Sequence, residues 1–439
     1  PIPWLLLGVF EALYFVPLGI AVMLLQRLPG WPVWTAAAWV AEEALRGRVP
    51  WGGFTWGKLA FSQIEGPLLD LAAIGGSVLV TFAVALAGGL LAWAAPRRPL
   101  WHQAAAVAAA GGVVASGVVV PVSTGSGEQT TVAVVQGNTP GQGLDFLGRR
   151  RAVLENHVDA THRLADRVAA GETPQPDLVI WPENSSDISP FHDAEASDDI
   201  SGAVDAIGVP TLVGAVVPTE DEQNVENTSI VWQSGDGAGE TYVKRHPMPF
   251  GEYIPFRSIA EMIAPDAVAR QPRDFVAGDE VGTLNVAGAQ VGPVICFEVA
   301  FDNLVRDVIR DGANLLAVQT NNAGFGYAPM TEQQLGMARL RAVEHGRWTV
   351  VAALAGVSAL VDPSGDVQQR MELFTQDTMV AEVELLDGRT VATTVGEWPE
   401  WLLTAGALLA LAVVGWRTRR EGRANADSAR EAAPLTVEV

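Results

Sequence analysis

A chain of 439 residues has room for two or more domains with a sizeable core, and its 49% hydrophobic content and mean hydropathy of +0.21 are high for a water-soluble enzyme. A net charge of −22 argues against nucleic acid as a partner, because phosphate backbones are held by basic surface. One cysteine excludes an internal disulfide.

The chain opens at Pro1 inside an apolar run, without a charged leader or small-residue cleavage site, and so reads as a fragment or a processed product. Residues 1–25 and about 31–46 form a pair of apolar stretches joined at Gln26–Arg27. The second carries Glu42, Glu43 and Arg46. Such groups are costly at membrane depth, so they either face protein or a wet cavity, or mark where a helix emerges. Trp51, Phe54, Trp56 and Phe61 follow, as an aromatic belt at a membrane surface or as the lining of a lipid entry.

Residues 71–95 hold no charge and are long enough to cross a hydrocarbon core of roughly 30 Å. Residues 102–121, rich in Ala, Gly and Val, are a weaker candidate, separated from the first by Arg97 and Arg98. The last apolar stretch, Trp401–Trp416, runs into Arg417, Arg419 and Arg420. Short basic loops stay in the cytoplasm, so both basic segments belong there. They agree only if 122–399 lies outside, with five crossings in all and the N-terminus external. The division predicted is 1–121 membrane helices, 122–399 an external domain, 400–416 a last crossing and 417–439 a cytoplasmic tail, disordered over 421–439.

Within the external segment, strand-like runs occupy 131–136, 177–181, 211–217, 291–296, 314–319 and 349–354, with helical patterns at 146–170, 303–310 and 331–346. This is a layered α/β domain, and periodicity leaves a doubly wound sheet and a two-sheet sandwich both open.

Cys296 ends an apolar strand run and precedes Phe297 and Glu298. By position alone it reads as a small buried core residue sooner than as a nucleophile. Glu183, in DLVIWPENSSD, stands just past another buried strand, where α/β folds gather active groups. Lys244 and Glu252 lie in TYVKRHPMPFGEYIPF, a loop stiffened by Pro247, Pro249 and Pro255. A carboxylate to take the thiol proton, a lysine to stabilise an oxyanion and a thiol to attack an acyl carbon make one chemical set. Cys296 with His246 or His345 as base is the rival set.

The segments WPE (181–183), KRHPMPFGEYIPF (244–256) and ICFE (295–298) resemble the nitrilase superfamily, and most closely its membrane branch, the apolipoprotein N-acyltransferases. Further similarity lies in VRD (305–307), TNNAGFG (320–326), MARLRAVEHGR (337–347) and EEALRGRVPWGGFTWGKLAFSQIEGPL (42–68), so it extends from about residue 31 to 416. The resemblance implies an α-β-β-α sandwich inserted in a helical transmembrane domain of eight helices, three of them preceding Pro1. It implies Glu183 as general base, Lys244 as oxyanion stabiliser, Cys296 as nucleophile, Glu252 and Glu298 as supporting carboxylates, and the Phe297 N–H in the oxyanion hole. Trp56, Phe146, Phe325 and Tyr327 are candidate substrate contacts.

The reaction so implied moves an acyl chain from a phospholipid through a cysteine thioester to the amine of a diacylglyceryl lipoprotein. No metal or cofactor enters it. The setting implied is a monomer in the bacterial inner membrane with its catalytic domain on the extracytoplasmic side. The chain departs from the family pattern at Gly324-Phe325-Gly326, at Ala353–Gly356 and at Phe146, which bears on substrate preference more than on chemistry. A membrane-tethered amidase with the same triad, or a non-catalytic scaffold, is the alternative.

Overall fold

The computed structural model describes residues 2–95, 98–122, 125–141, 151–269 and 271–431. Four helices come first: α1 (Ile2–Leu25), α2 (Trp31–Arg46), α3 (Ala72–Trp93) and α4 (Leu100–Ala115). The mixed region follows with β1 (Glu128–Gln136), α5 (Ala152–Ala169), β2 (Leu178–Ile180), α6 (Ala194–Ile207), β3 (Thr211–Pro218), β4 (Val225–Gln233) and β5 (Gly237–Val243). It continues through α7 (Arg257–Ile263), α8 (Pro265–Val268), β6 (Leu284–Val286), β7 (Ala289–Ile295), α9 (Asp302–Asp311), β8 (Leu315–Thr320), α10 (Met330–His345) and β9 (Thr349–Ala353). The last elements are β10 (Ala359–Val361), β11 (Val367–Arg370), β12 (Asp377–Leu385), α11 (Val391–Val395) and α12 (Trp398–Glu431).

The strands form two six-stranded sheets, ordered β12-β1-β2-β3-β4-β5 and β11-β10-β9-β8-β7-β6. At the centre of each, β1-β2-β3 and β7-β8-β9 run parallel. These strands are buried on both faces, which is why they read as continuous apolar runs. In β1, Val132 and Val134 join the core between the sheets, while Ala133 and Val135 face α5 and α6. In β8, Leu315 and Ala317 face the other sheet, and Leu316 and Val318 face α9 and α10. The result is the α-β-β-α sandwich, which resolves the choice periodicity left open.

Three helices are long and apolar enough to cross a membrane among the described residues: Leu5–Leu25, Leu69–Trp93 and Trp398–Ala426. The 16-residue α2 and α4 span about 24 Å each at 1.5 Å per residue. Helices α1, α2 and α12 pack through Leu18, Leu25, Ala37, Ala38, Ala407, Ala410 and Val414. Helix α3 packs Val80 and Ala83 against Leu340 and Val343 of α10, joining the helical half to the sandwich. The backbone of α3 is broken at Gly75 and Gly76, where Gly76 has φ 67° and an added Cβ would sit 2.5 Å from Glu344 Oε1. Only glycine permits that approach.

One expectation is revised, and one choice between two readings is decided. The segment expected to be disordered from 421 is helical to Glu431, since its Ala, Arg and Glu residues favour a helix and no proline interrupts it; residues 432–439 lie outside the described set. Glu42, Glu43 and Arg46 do not mark an exit into water but are buried and paired. Arg46 Nε bonds Glu42 Oε1 at 2.9 Å, and Glu43 accepts the Leu59 N–H and the Thr81 hydroxyl, each at 2.8 Å. They order the loop 47–68.

Candidate active site

The parallel strands all end at one edge of the sandwich. Glu183 follows β2 by three residues, Cys296 follows β7 directly, and Asn321 follows β8. Because β4 is antiparallel to β3 and β5 to β4, the start of β4 and the end of β5 reach that edge too, bringing Asn227 and Lys244. Residues far apart in sequence thus meet where sheet hydrogen bonding stops.

Lys244, 1% exposed, donates to Glu183 Oε1 at 3.1 Å and to Glu252 Oε1 at 2.8 Å. Asn227 Nδ2 donates to the same two carboxylates, at 2.6 and 2.9 Å, and the Asn321 N–H holds Glu183 Oε2 at 2.7 Å. Burial works against the lysine's charge, yet Glu183 and Glu252 outweigh it and hold the ammonium well above its usual range.

Cys296 opens a one-turn 3-10 helix, Cys296–Ala300, with φ 52°, a left-handed conformation that is strained for a residue with a side chain. Its thiol meets Thr320 Oγ1 at 3.3 Å and Gln334 Nε2 at 3.6 Å. Burial and the Glu183 charge push the thiol up to about 12, with Lys244 pulling the other way, so all three groups act on one another. The Phe297 N–H lies in the first turn and has no acceptor within its own helix. Glu298 accepts the N–H groups of Ile295, Arg245 and His246 at 2.8, 2.7 and 3.1 Å and the Tyr242 hydroxyl at 3.0 Å, tying the cysteine turn to the lysine loop.

The rival histidines do not hydrogen-bond the thiol in the described residues. His246 packs against Phe301 with its ring tilted by 48°, 4.1 Å between centroids, and burial with Lys244 nearby lowers its pKa to about 4. His345 is fully buried and its Nδ1 meets Thr393 Oγ1 at 2.9 Å.

Trp56 stacks over Phe297, and Phe325 meets Trp56 edge-on at 6.1 Å. Tyr327 is 70% exposed and packs on Phe374 instead. Phe146 lies outside the described residues. Phe54 also packs on Phe297, and Phe61 lies under the Arg341 guanidinium, so these two face protein rather than form a belt; Trp51 contacts Phe10, Phe250 and Phe256. Sequence reasoning missed Asn227, Thr320, Gln334 and Tyr242. Asn227 stands among the polar residues that open VENTSIVWQ, a run that reads as a loop, so no signal marked it.

The model of the apolipoprotein N-acyltransferase N-terminal domain matches residues 1–90, and that of the carbon-nitrogen hydrolases matches residues 131–393. The apolipoprotein N-acyltransferase of Mycolicibacterium smegmatis is 41% identical over 94% of this chain and 73% of its own length. That of Shewanella oneidensis is 28% identical over 95% and 80%. Among solved structures, a mutant of the Nesterenkonia AN1 amidase from the nitrilase superfamily aligns with a TM-score of 0.44 at 18% identity, over 63% of this chain and 96% of that one. The chain belongs to the apolipoprotein N-acyltransferase family, whose mixed region is a carbon-nitrogen hydrolase domain.

Proposed function

We propose that this protein moves a fatty acyl chain from a phospholipid to the N-terminal amine of a diacylglyceryl-cysteine lipoprotein, through a thioester on Cys296. The observation that carries the chemistry is the buried Glu183–Lys244 pair acting on the one thiol, at a strand edge joined to apolar helices.

Glu183 takes the thiol proton as Sγ bonds the ester carbonyl carbon, and the oxyanion is met by the Lys244 ammonium and the Phe297 N–H. Collapse breaks the ester C–O bond, and Glu183 returns the proton to the departing lysophospholipid oxygen. The acceptor amine then attacks the thioester, gives a proton to Glu183, and forms an amide as the C–S bond breaks and the thiol is regenerated. Glu252 and Asn227 hold Lys244 and Glu183 in register, and Glu298 holds the two loops together. Trp56 and Phe325 supply apolar surface beside the nucleophile turn.

The setting we propose is a monomer in the bacterial inner membrane; within it, charge bias keeps the basic segments Arg97–Arg98 and Arg417–Arg420 in the cytoplasm and so puts residues 122–399 on the extracytoplasmic side.

Purified protein mixed with phospholipid vesicles is expected to gain one fatty-acyl mass that hydroxylamine removes, and Cys296→Ser is expected to gain none. Wild-type protein that forms no adduct, yet releases ammonia from small amides, would overturn this in favour of a tethered amidase.

A further inference from the structure

The nucleophile turn is held from the helical half as well as from the sandwich. The turn ends at Ala300, and two residues later Asp302 opens α9. The Asp302 carboxylate receives Lys58 Nζ at 2.6 Å, the Ser77 hydroxyl at 2.9 Å and Arg341 at 2.7 Å. Lys58 comes from the loop between α2 and α3, and Ser77 stands beside the Gly75–Gly76 break in α3. Arg341, with no exposed surface, also bonds the Val299 carbonyl inside the turn at 2.8 Å and pairs with Glu344. Burial alone would raise the Asp302 carboxyl, but Lys58 and Arg341 outweigh it and hold it far below the usual carboxylate range.

The same loop presents Phe54 and Trp56 to Phe297, next to the thiol. It is anchored directly beside Lys58 by Glu43, which receives the Leu59 N–H. Lys58 therefore stands between an anchored loop and the helix that continues the turn. Cys296 carries a left-handed φ, so neighbouring contacts must hold a conformation the residue would otherwise leave.

We propose that Lys58 is a positioning residue: through Asp302 it fixes the Cys296 turn to the helical half, so that the thiol reaches its working geometry only when both halves are joined. This rests on the reading of Cys296 as the nucleophile. Removing the ammonium leaves Asp302 buried against Arg341 and Ser77 alone and takes away the ion pair between the loop and the helix that continues the turn.

The chain's one cysteine makes the test site-specific. Full-length Lys58→Met, Lys58→Arg and Ser77→Ala are compared with wild type in phospholipid vesicles by acyl-loading kinetics. The pH profile of iodoacetamide alkylation is measured on the folded fraction of each. Lys58→Met is expected to lower the loading kcat by roughly 10- to 100-fold with KM little changed, as small misplacements of reacting groups do. It should also shift the alkylation profile, and Lys58→Arg should recover most of both. Ser77→Ala removes one contact to the same carboxylate and should shift both readouts in the same sense, which keeps the test open if Lys58→Met does not fold. A lowered melting temperature with wild-type alkylation and wild-type kcat in the folded fraction would overturn the proposal. Failure of wild type to form any thioester would overturn the nucleophile reading instead, while alkylation would still report the turn.

Discussion

The ring of Trp56 lies nearly parallel to that of Phe297, with 18° between their planes and 6.3 Å between centroids. One comes from the loop after α2 and the other follows Cys296, so the helical half builds one wall of the site. Trp56 Nε1 is fixed by Gln333 Oε1 at 2.7 Å, which sets the ring's orientation. Trp56→Ala removes apolar surface from that wall, and burying a side chain of this kind contributes about 1.5–3 kcal/mol. The KM for the phospholipid donor should rise at least about tenfold with a smaller change in kcat. Trp56→Phe should lie between. Loading measured against donor concentration decides, and an unchanged KM would remove Trp56 from the acyl path.

Among the described residues Asn227 is the one side-chain amide that bonds both Glu183 and Glu252, and it is 1% exposed. Two carboxylates, Glu183 buried and Glu252 partly so, then share one ammonium and one amide. Asn227→Ala leaves each carboxylate short of a donor, which costs about 1–3 kcal/mol per buried group. Acyl loading should fall by roughly 10- to 100-fold, and Asn227→Asp, which adds a third carboxylate, should do worse. Loading rates of the two variants, with melting temperatures for comparison, check the order. An Asp variant better than the Ala variant would contradict it.

Why Asn227 escaped the sequence while Glu183, Lys244 and Cys296 did not is a matter of strand type. Glu183 and Cys296 each end a run that is apolar on both faces, and such runs announce themselves. Strand β4, VENTSIVWQ, opens with polar residues whose partners are on other strands, so its pattern resembles a loop. Strand β5 is exposed and contains Gly237 and Gly239, and β6 and β10 have three residues each, too few for a period. The sandwich could not be told from a doubly wound sheet because both bury their strands on two faces. The aromatic cluster after α2 was ambiguous because its partner, Phe297, lies far along the chain. Of the charged residues of α2, Glu42 and Arg46 pair within the helix, while Glu43 was ambiguous because its partners, Leu59 and Thr81, come from later segments.

His157 gives a stability prediction with a defined sign. It has no exposed surface; Nδ1 donates to the Val153 carbonyl at 2.7 Å and Nε2 accepts the Gly137 N–H at 3.1 Å. Burial lowers its pKa from 6.5 to about 4, so the folded state prefers the neutral ring. An unfolded chain takes up the proton below its own pKa while the folded one does not. The stabilisation is therefore complete above about pH 6.5 and is lost as pH falls towards 4, by up to about 3 kcal/mol. The melting temperature should fall across that window, and less steeply in His157→Gln. Equal slopes would assign the acid sensitivity to other groups.

Glu183 makes opposite predictions for two readouts on the same thiol. Burial and the Glu183 charge push Cys296 up to about 12, so wild-type alkylation should keep rising with pH beyond 10 without a plateau. Glu183→Gln removes a negative charge beside the sulfur and leaves Lys244 less opposed, so the thiolate becomes easier to form. Alkylation of the variant at a fixed pH of about 8 should then be faster than that of wild type. Acyl loading should move the other way, by roughly 100- to 10,000-fold, because no group remains to take the proton as sulfur attacks or to return it to the leaving oxygen. The divergence separates a base from a residue that only shapes the pocket. If alkylation slowed together with loading, Glu183 would act by holding Lys244 and Asn321 in place, and the proton would need another carrier.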